Sequence, residues 1–238
     1  MAMIAMGIDL AKNVFAVHGV DEAGKAVLVK PSVRRDALLE LIAKLPPCLI
    51  GMEACSGAHH WARQFQAWGH TVCIKSEDAQ GRLSIHRVRQ GFIETRTATI
   101  NRTRGFLSEF GVVLPQKAEV VRREAGRHLE DLPGWANTAI GDSLSELHHL
   151  DERIAEHDRH IKAMARADER GRKLMEMPGI GAKTASALLA SIGNGHDFKC
   201  GRQLAAWLGL VPGQYSSGGK QRLGRITKAA TGATCAPC

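Results

Sequence analysis

The first thirty residues carry three short apolar runs in which strand-like alternation is broken by turn residues. Ile4–Leu10 is apolar apart from Gly7 and an acid, Asp9; Val14–Val20 follows; the turn Asp21–Lys25 leads into Ala26–Lys30. This spacing predicts a three-stranded meander. Apolar residues then move to helical spacing at Leu38, Leu41, Ile42 and Leu45, which predicts a helix over Arg34–Leu45 stopped by Pro46-Pro47. Cys48–Met52 reads as a strand running into Glu53. Ser56–Trp68 reads as a helix with Trp61, Phe65 and Trp68 on one face, and Thr71–Ile74 as a further strand. The order predicts a mixed sheet with helical crossovers that breaks off at Lys75. Beyond residue 80 the period is helical. Ile85, Val88, Phe92, Ile100, Phe106 and Phe110 mark a long amphipathic helix with many arginines. Leu147, Leu150, Ile154, His157, Ile161 and Met164 form a heptad seam. That seam fits an internal helical pairing or a contact between subunits equally well, with His157 setting register or lying half exposed rather than binding metal.

Composition narrows the class. The chain has 238 residues, 44% hydrophobic and 24% charged, enough for a globular core. Its net charge of +8 points to a polyanion, nucleic acid above all. The charge is uneven: Phe198–Cys238 holds six Lys/Arg and no acid, and Gln80–Glu130 holds ten against five acids. These segments are expected to neutralise phosphates. At 5% aromatics, stacking on single-stranded bases is not expected to be the main device. No window has the length and apolarity of a membrane span, and the start lacks a signal peptide's basic region. Six cysteines in a chain this long do not form a disulfide scaffold, so a cytoplasmic protein with reduced thiols is expected.

Three segments carry candidate chemistry. Asp9 and Glu53 lie at the ends of strands that the topology places side by side. Carboxylates so placed either close a turn or hold one or two Mg²⁺ ions, about 4 Å apart, for phosphodiester chemistry. Met177–Ala185 sits between two helices, one ending near Met175 and the other spanning Thr184–Ile192. Its Gly179 and Gly181 permit a tight hairpin whose amides, with Lys183 and Thr184, face a phosphate. This is the pattern of a helix-hairpin-helix, a sequence-independent binder of the DNA backbone, and its spacing is wrong for a Walker A loop. Tyr215-Ser216-Ser217-Gly218-Gly219-Lys220 reads as a loop whose serines gain interest from the neighbouring Lys220, Arg222 and Arg225. Cys235–Cys238 lacks a second cysteine pair, and His59-His60 and His148-His149 point different ways on helices. Gly7–Leu10 lacks the further Gly and Thr that an actin-like kinase's phosphate loop needs.

Taken in order, Gly7–Lys12, Met52–Cys55, His86–Phe92, Pro178–Gly181, Trp207–Pro212 and Ser216–Lys220 resemble the transposases of the insertion-sequence 110/1111 family over nearly the whole chain. The resemblance implies an α/β plus α protein. Residues 1–76 would form a truncated RNase H-like (RuvC-type) domain and 77–170 a basic helical and coiled-coil region. Residues 171–238 would form a transposase 20-like domain with a helix-hairpin-helix and a serine loop. It implies four metal-binding acids, of which Asp9 and Glu53 match the first two, and Mg²⁺ as cofactor. It also implies a nucleophilic serine matched by Ser217, with Ser216 as the fallback. DNA contacts would fall to Gly179, Gly181, Lys183, Thr184, Lys220, Arg222 and Arg225. The implied partners are double-stranded DNA, further copies of the chain and, in some members, a structured guide RNA. Two departures stand out. Lys75–Gln80 passes almost directly into the Arg-rich helix where the family has several tens of residues and its last two acids, so Glu77 and Asp78 receive no metal role. After Lys228 the family's basic helix is replaced by small residues. The expectation is a transposase copy that keeps DNA binding and has lost catalysis; the alternative is a non-catalytic protein that poisons intact oligomers through residues 144–165.

Overall fold

The computed structural model describes residues 2–53, 55, 57–193, 195–196 and 198–226, which leaves Lys228, Cys235 and Cys238 outside the described residues. The chain divides at Glu77 into two compact units.

The first unit is a four-stranded mixed sheet. Strands β1 (Ala5–Leu10), β2 (Val14–Val20) and β3 (Ala26–Arg34) form the expected antiparallel meander, and β4 (Leu49–Met52) adds to β1 in parallel, in the order β3-β2-β1-β4. β3 runs four residues further than its apolar pattern, and it carries Pro31 without penalty because it is an edge strand. Period-2 alternation turns Met6, Ile8, Leu10, Phe15, Val17 and Ile50 to one face, where helices α1 (Arg35–Ala43) and α2 (Ala58–Ala67) bury them with Leu38, Ile42, Trp61 and Phe65. The Phe15 and Trp61 rings meet edge-on at 5.4 Å. The strand expected over Thr71–Ile74 is reduced to a single parallel bridge, Leu49 to Thr71. His70 is buried here, accepting from the Cys48 amide through Nδ1 at 3.2 Å with Nε2 3.3 Å from the Ile42 carbonyl.

The second unit is mostly helical. Helix α3 (Glu77–Glu109) and helix α5 (Gly134–Ala167) are tied by ion pairs that step in opposite directions along the two chains. Arg82 meets Asp168 at 3.3 Å, Arg89 meets Asp158 at 2.5 Å, and Arg96 meets Asp151 at 3.1 Å. The helices therefore run antiparallel. Arg153 stacks over Phe92 at 4.7 Å, and Phe92 meets His157 edge-on. Leu147, Leu150, Ile154 and Ile161 of the heptad seam are buried within this one chain, with His157 and Met164 half-buried, so the seam is an internal pairing. Helix α4 (Ala118–Glu124), which the periodicity did not announce, closes the far end with Val121 against Ile100, Leu107 and Ile140.

Helix α6 (Glu169–Met175) follows with Asp168 as its N-cap, accepting from the Arg170 amide at 3.0 Å. The Arg170 side chain bonds the same carboxylate and, with the cap and Arg82, holds the Asp168 pKa down to about 2. A depressed carboxylate pKa contributes stability above the unfolded value near 4, and that contribution is lost as pH falls toward 2. Asp168→Asn is expected to cost on the order of 1–2 kcal/mol at pH 7 and about a third of that at pH 2.5, as thermal melts of the two proteins at both pH values would show. An equal deficit at both would refute the charge-based account.

Candidate functional site

Three pieces of geometry bear on function. The first is the carboxylate pair. The β1–β4 register ends with Ile8 opposite Met52, so Asp9 and Glu53 are the next residues on neighbouring parallel strands, roughly 5 Å apart across the ladder. Both are exposed, and both line a depression on the face of the sheet away from α1 and α2, together with Gly7 and Gly51 two residues before them and with His18 and Lys30. The Cys55 thiol donates to the Leu10 carbonyl at 3.7 Å and ties together the two strand ends. Among the described residues no group of three or more His, Cys, Asp or Glu is placed to hold a metal. Mg²⁺ is commonly held by one or two carboxylates together with substrate phosphate oxygens and water. Asp9 and Glu53 fit one such ion and fall short of a four-acid, two-ion centre.

The second piece is the turn between α6 and α7 (Ala182–Ile192), where the later helix starts two residues earlier than its sequence pattern suggested. Gly179 takes φ of +86°, which a side chain would strain. Gly181 is the N-cap and offers no side-chain cap, so the first amides of α7, at Ala182, Lys183 and Thr184, have no intrahelical acceptor. Gly179, Gly181, Lys183 and Thr184 are all exposed. Lys183, expected to reach a phosphate, instead pairs with Asp158 at 3.1 Å, beside the Arg89 contact to the same carboxylate. Behind this turn Ser186 is fully buried against His86 at 3.1 Å, and burial, with the nearby Arg89 charge, pushes the imidazole pKa down.

The third piece corrects an expectation. The Ser-Gly segment reads as a loop and folds as a β-hairpin of β5 (Pro212–Gln214) and β6 (Leu223–Ile226). Gly218 and Gly219 have φ of +59° and +76°, and the Lys220 amide bonds the Ser217 carbonyl at 3.2 Å; this is the two-residue turn with both centres left-handed that suits a right-twisted hairpin. Gln214 pairs with Leu223 and Ser217 with Lys220, so Tyr215 stands opposite Arg222. Opposed residues share a face, and alternate residues along each strand do too. Tyr215, Ser217, Lys220 and Arg222 therefore occupy one face. Gln214, Ser216 and Leu223 occupy the other, and the register shifts between Gln214 and Pro212, where Arg225 lies. The Ser216 hydroxyl accepts from the Arg222 amide at 3.2 Å and from Gln214 Nε2 at 2.9 Å, which commits it to holding the hairpin.

The cations sort accordingly. In the Gln80–Glu130 stretch, Arg82, Arg89, Arg96, Arg122, Arg123 and Arg127 are spent on acids of the chain itself, and Arg104 on the Gln116 carbonyl. Charge counting placed phosphate contacts there, but half of its reason lies in α5. Along 198–226 no acid occurs, and Lys199, Arg202, Lys220, Arg222 and Arg225 form no ion pair among the described residues. Tyr215 stands on the same face as Ser217 through its place opposite Arg222. The Gly-Gly pair was the signal that could have found it.

The profile of the family described as "Transposase IS116/IS110/IS902 family" matches residues 171–233, which hold the turn at Gly179–Gly181 and the whole hairpin. The chain is 36% identical to a probable family 20 transposase of Pseudomonas aeruginosa, covering 96% of this chain and 80% of the relative. It is 32% identical to the transposase for insertion sequence element IS1328 of Yersinia enterocolitica, over 94% and 78% of the two chains. To the transposase for IS1111A of Coxiella burnetii it is 31% identical, over 94% and 72%. The chain belongs to this family of insertion-sequence transposases. The alignment to the Pseudomonas relative runs over 270 positions, whereas 96% of 238 residues is about 228, so roughly 40 positions have no residue in this chain. Alignments of 261 and 271 positions covering 94% of the chain give a similar shortfall. No helix among the described residues is long and apolar enough to cross a membrane.

Proposed function

We propose that this transposase engages double-stranded DNA through its C-terminal hairpin and the α6–α7 turn, and that it has lost strand cleavage. The observation that carries the first half is the shared face of Ser217, Lys220 and Arg222 in a segment whose cations form no ion pairs. A serine oxygen attacking phosphorus displaces a deoxyribose oxygen, and cations beside it offset the charge that develops on the phosphoryl oxygens. Ser217 is favoured over Ser216 because Ser216 is committed to the hairpin and faces the other way. The α6–α7 turn is read as a helix-hairpin-helix in which the first amides of α7 receive a phosphate, and Lys183 joins them on leaving Asp158.

The strand order β3-β2-β1-β4, with β1 antiparallel to β2 and parallel to β4, supports an RNase H-like first unit. Asp9 and Glu53 would hold Mg²⁺, which when bound polarises the scissile phosphate and helps activate the nucleophile. The missing alignment positions are read as falling after Lys75, where the chain passes from Ile74 to α3 within three residues and the family's remaining acids would lie. Asp9 and Glu53 would hold at most one ion with the help of phosphate oxygens and water, and the second ion of a four-acid centre would lack its protein ligands. A homo-oligomer and a structured RNA partner are supported by the family resemblance alone.

The test combines gel-shift and plasmid-nicking assays with a Mn²⁺ calorimetric titration, on the wild type, Ser217→Ala and Asp9→Asn. Duplex DNA should shift, plasmid should stay intact in Mg²⁺, and Mn²⁺ binding should be weak and vanish in Asp9→Asn. Nicking that needs both Mg²⁺ and Ser217 would overturn the loss of cleavage. Absence of any shift would overturn the DNA reading.

A further inference from the structure

The hairpin carries one residue that phosphate binding leaves unexplained. Tyr215 is the only tyrosine in the chain, and it stands 78% exposed on the Ser217 face. Its ring lies across the ribbon on Gly224: a Cβ at that glycine would sit 3.1 Å from Cε2 and 3.6 Å from Cδ2. The Cδ2–Cε2 edge of the ring is thus held close to the strand at Gly224, while most of the side chain is open to water. Arg222 stands directly opposite, and Ser217 lies two residues along the same face, about 7 Å away. A rigid aromatic plate flanked by unpaired cations is what a DNA strand with an unstacked base needs. The base stacks on the ring while the cations follow the phosphates, and no base sequence is required. An intact duplex keeps its base faces covered and gains nothing from such a plate.

We propose that this hairpin face takes an unpaired stretch of DNA, one base stacked on Tyr215 and the adjoining phosphates held by Lys220 and Arg222, which brings the neighbouring phosphodiester to Ser217. The inference rests on the DNA reading above and narrows its substrate to a locally opened strand. It also gives the low aromatic content a place: one plate at the reacting phosphate and no row of them.

The other role open to Tyr215 is structural, a cross-strand cover for Gly224. Tyr215→Leu keeps an apolar side chain over that glycine and removes the stacking plane, while Tyr215→Phe keeps both. Fluorescence titrations would use a duplex and the same duplex with a central bubble containing 2-aminopurine, at one salt concentration. The wild type and Tyr215→Phe should bind the bubble roughly tenfold more tightly than the duplex and quench 2-aminopurine. Tyr215→Leu should bind the duplex as the wild type does and lose both the preference and the quenching. Equal binding of bubble and duplex by the wild type would overturn the inference and leave the DNA reading standing. So would a Tyr215→Leu protein that weakens on both DNAs equally. If neither DNA binds the wild type, the DNA reading falls and takes this inference with it.

Discussion

Phe65→Ala should leave the first unit largely unfolded at 37 °C while the second stays folded. Phe65 is fully buried in the core cluster of its unit, stacked at 6.3 Å on Trp61, which in turn meets Phe15. Truncating a buried Phe to Ala removes its transfer free energy and leaves a cavity, together about 3–5 kcal/mol. A unit of this size is expected to have a total stability of roughly 4–11 kcal/mol, so the loss consumes much or all of it. The sheet aggravates matters, because α1 and α2 both pack on the same face of it. Limited proteolysis separates the units: fragments from residues 2–77 should disappear within minutes while a fragment starting near Asp78 persists. His60→Ala, at an exposed position of the same helix, is the control and should cost under 1 kcal/mol. Survival of the Phe65→Ala first unit at wild-type protease concentrations would show that its core is not what holds it together.

The parts of this fold that local pattern encodes were legible from the chain. Each apolar run of the meander forms its strand, and Asp9 and Glu53 stand across from each other at the carboxyl ends of neighbouring strands because β1 and β4 pair in parallel with both acids one residue past the last rung. Heptad spacing over 147–164 found α5 but not its partner. What fills the seam depends on contacts such as Arg82 to Asp168, 86 residues apart, and periodicity along one helix holds no information about them. The same separation explains the arginines of α3. Arg82, Arg89 and Arg96 pair with Asp168, Asp158 and Asp151, acids 86, 69 and 55 residues away, which a count of charge within residues 80–130 does not include. The serine segment was misjudged for a different reason. Ser, Gly and Gly are loop residues by composition, yet Gly-Gly at the centre of a two-residue turn is also the strongest condition for a tight hairpin. The alternation that would have decided it, Gln214 to Ser217 against Lys220 to Leu223, is too short to register as a strand pair until the register is known.

That register makes the interface a matter of two cations whose removal should be felt in the salt dependence of binding. Lys220→Ala with Arg222→Ala should lower the slope of log affinity against log salt by about 1.8, since each phosphate contact on duplex DNA releases counterions worth about 0.9. At 0.1 M salt the same double variant should bind on the order of 30–100-fold more weakly, at every DNA sequence alike, because phosphates carry no base information. Lys173→Ala is the control: its ammonium sits on α6 in an exposed pair with Glu169, and its loss should leave the slope unchanged. Arg225→Ala measures how far along β6 the DNA runs. Arg225 lies three residues past Arg222, where the register shifts between Gln214 and Pro212, so a DNA held only at the turn end of the ribbon should retain affinity in this variant. A slope that falls by one in Arg225→Ala as well would mean that DNA runs the length of the strand. An unchanged slope in the double variant would move the phosphate contacts away from the hairpin, and Ser217 would then have no cation beside the phosphorus it is proposed to attack.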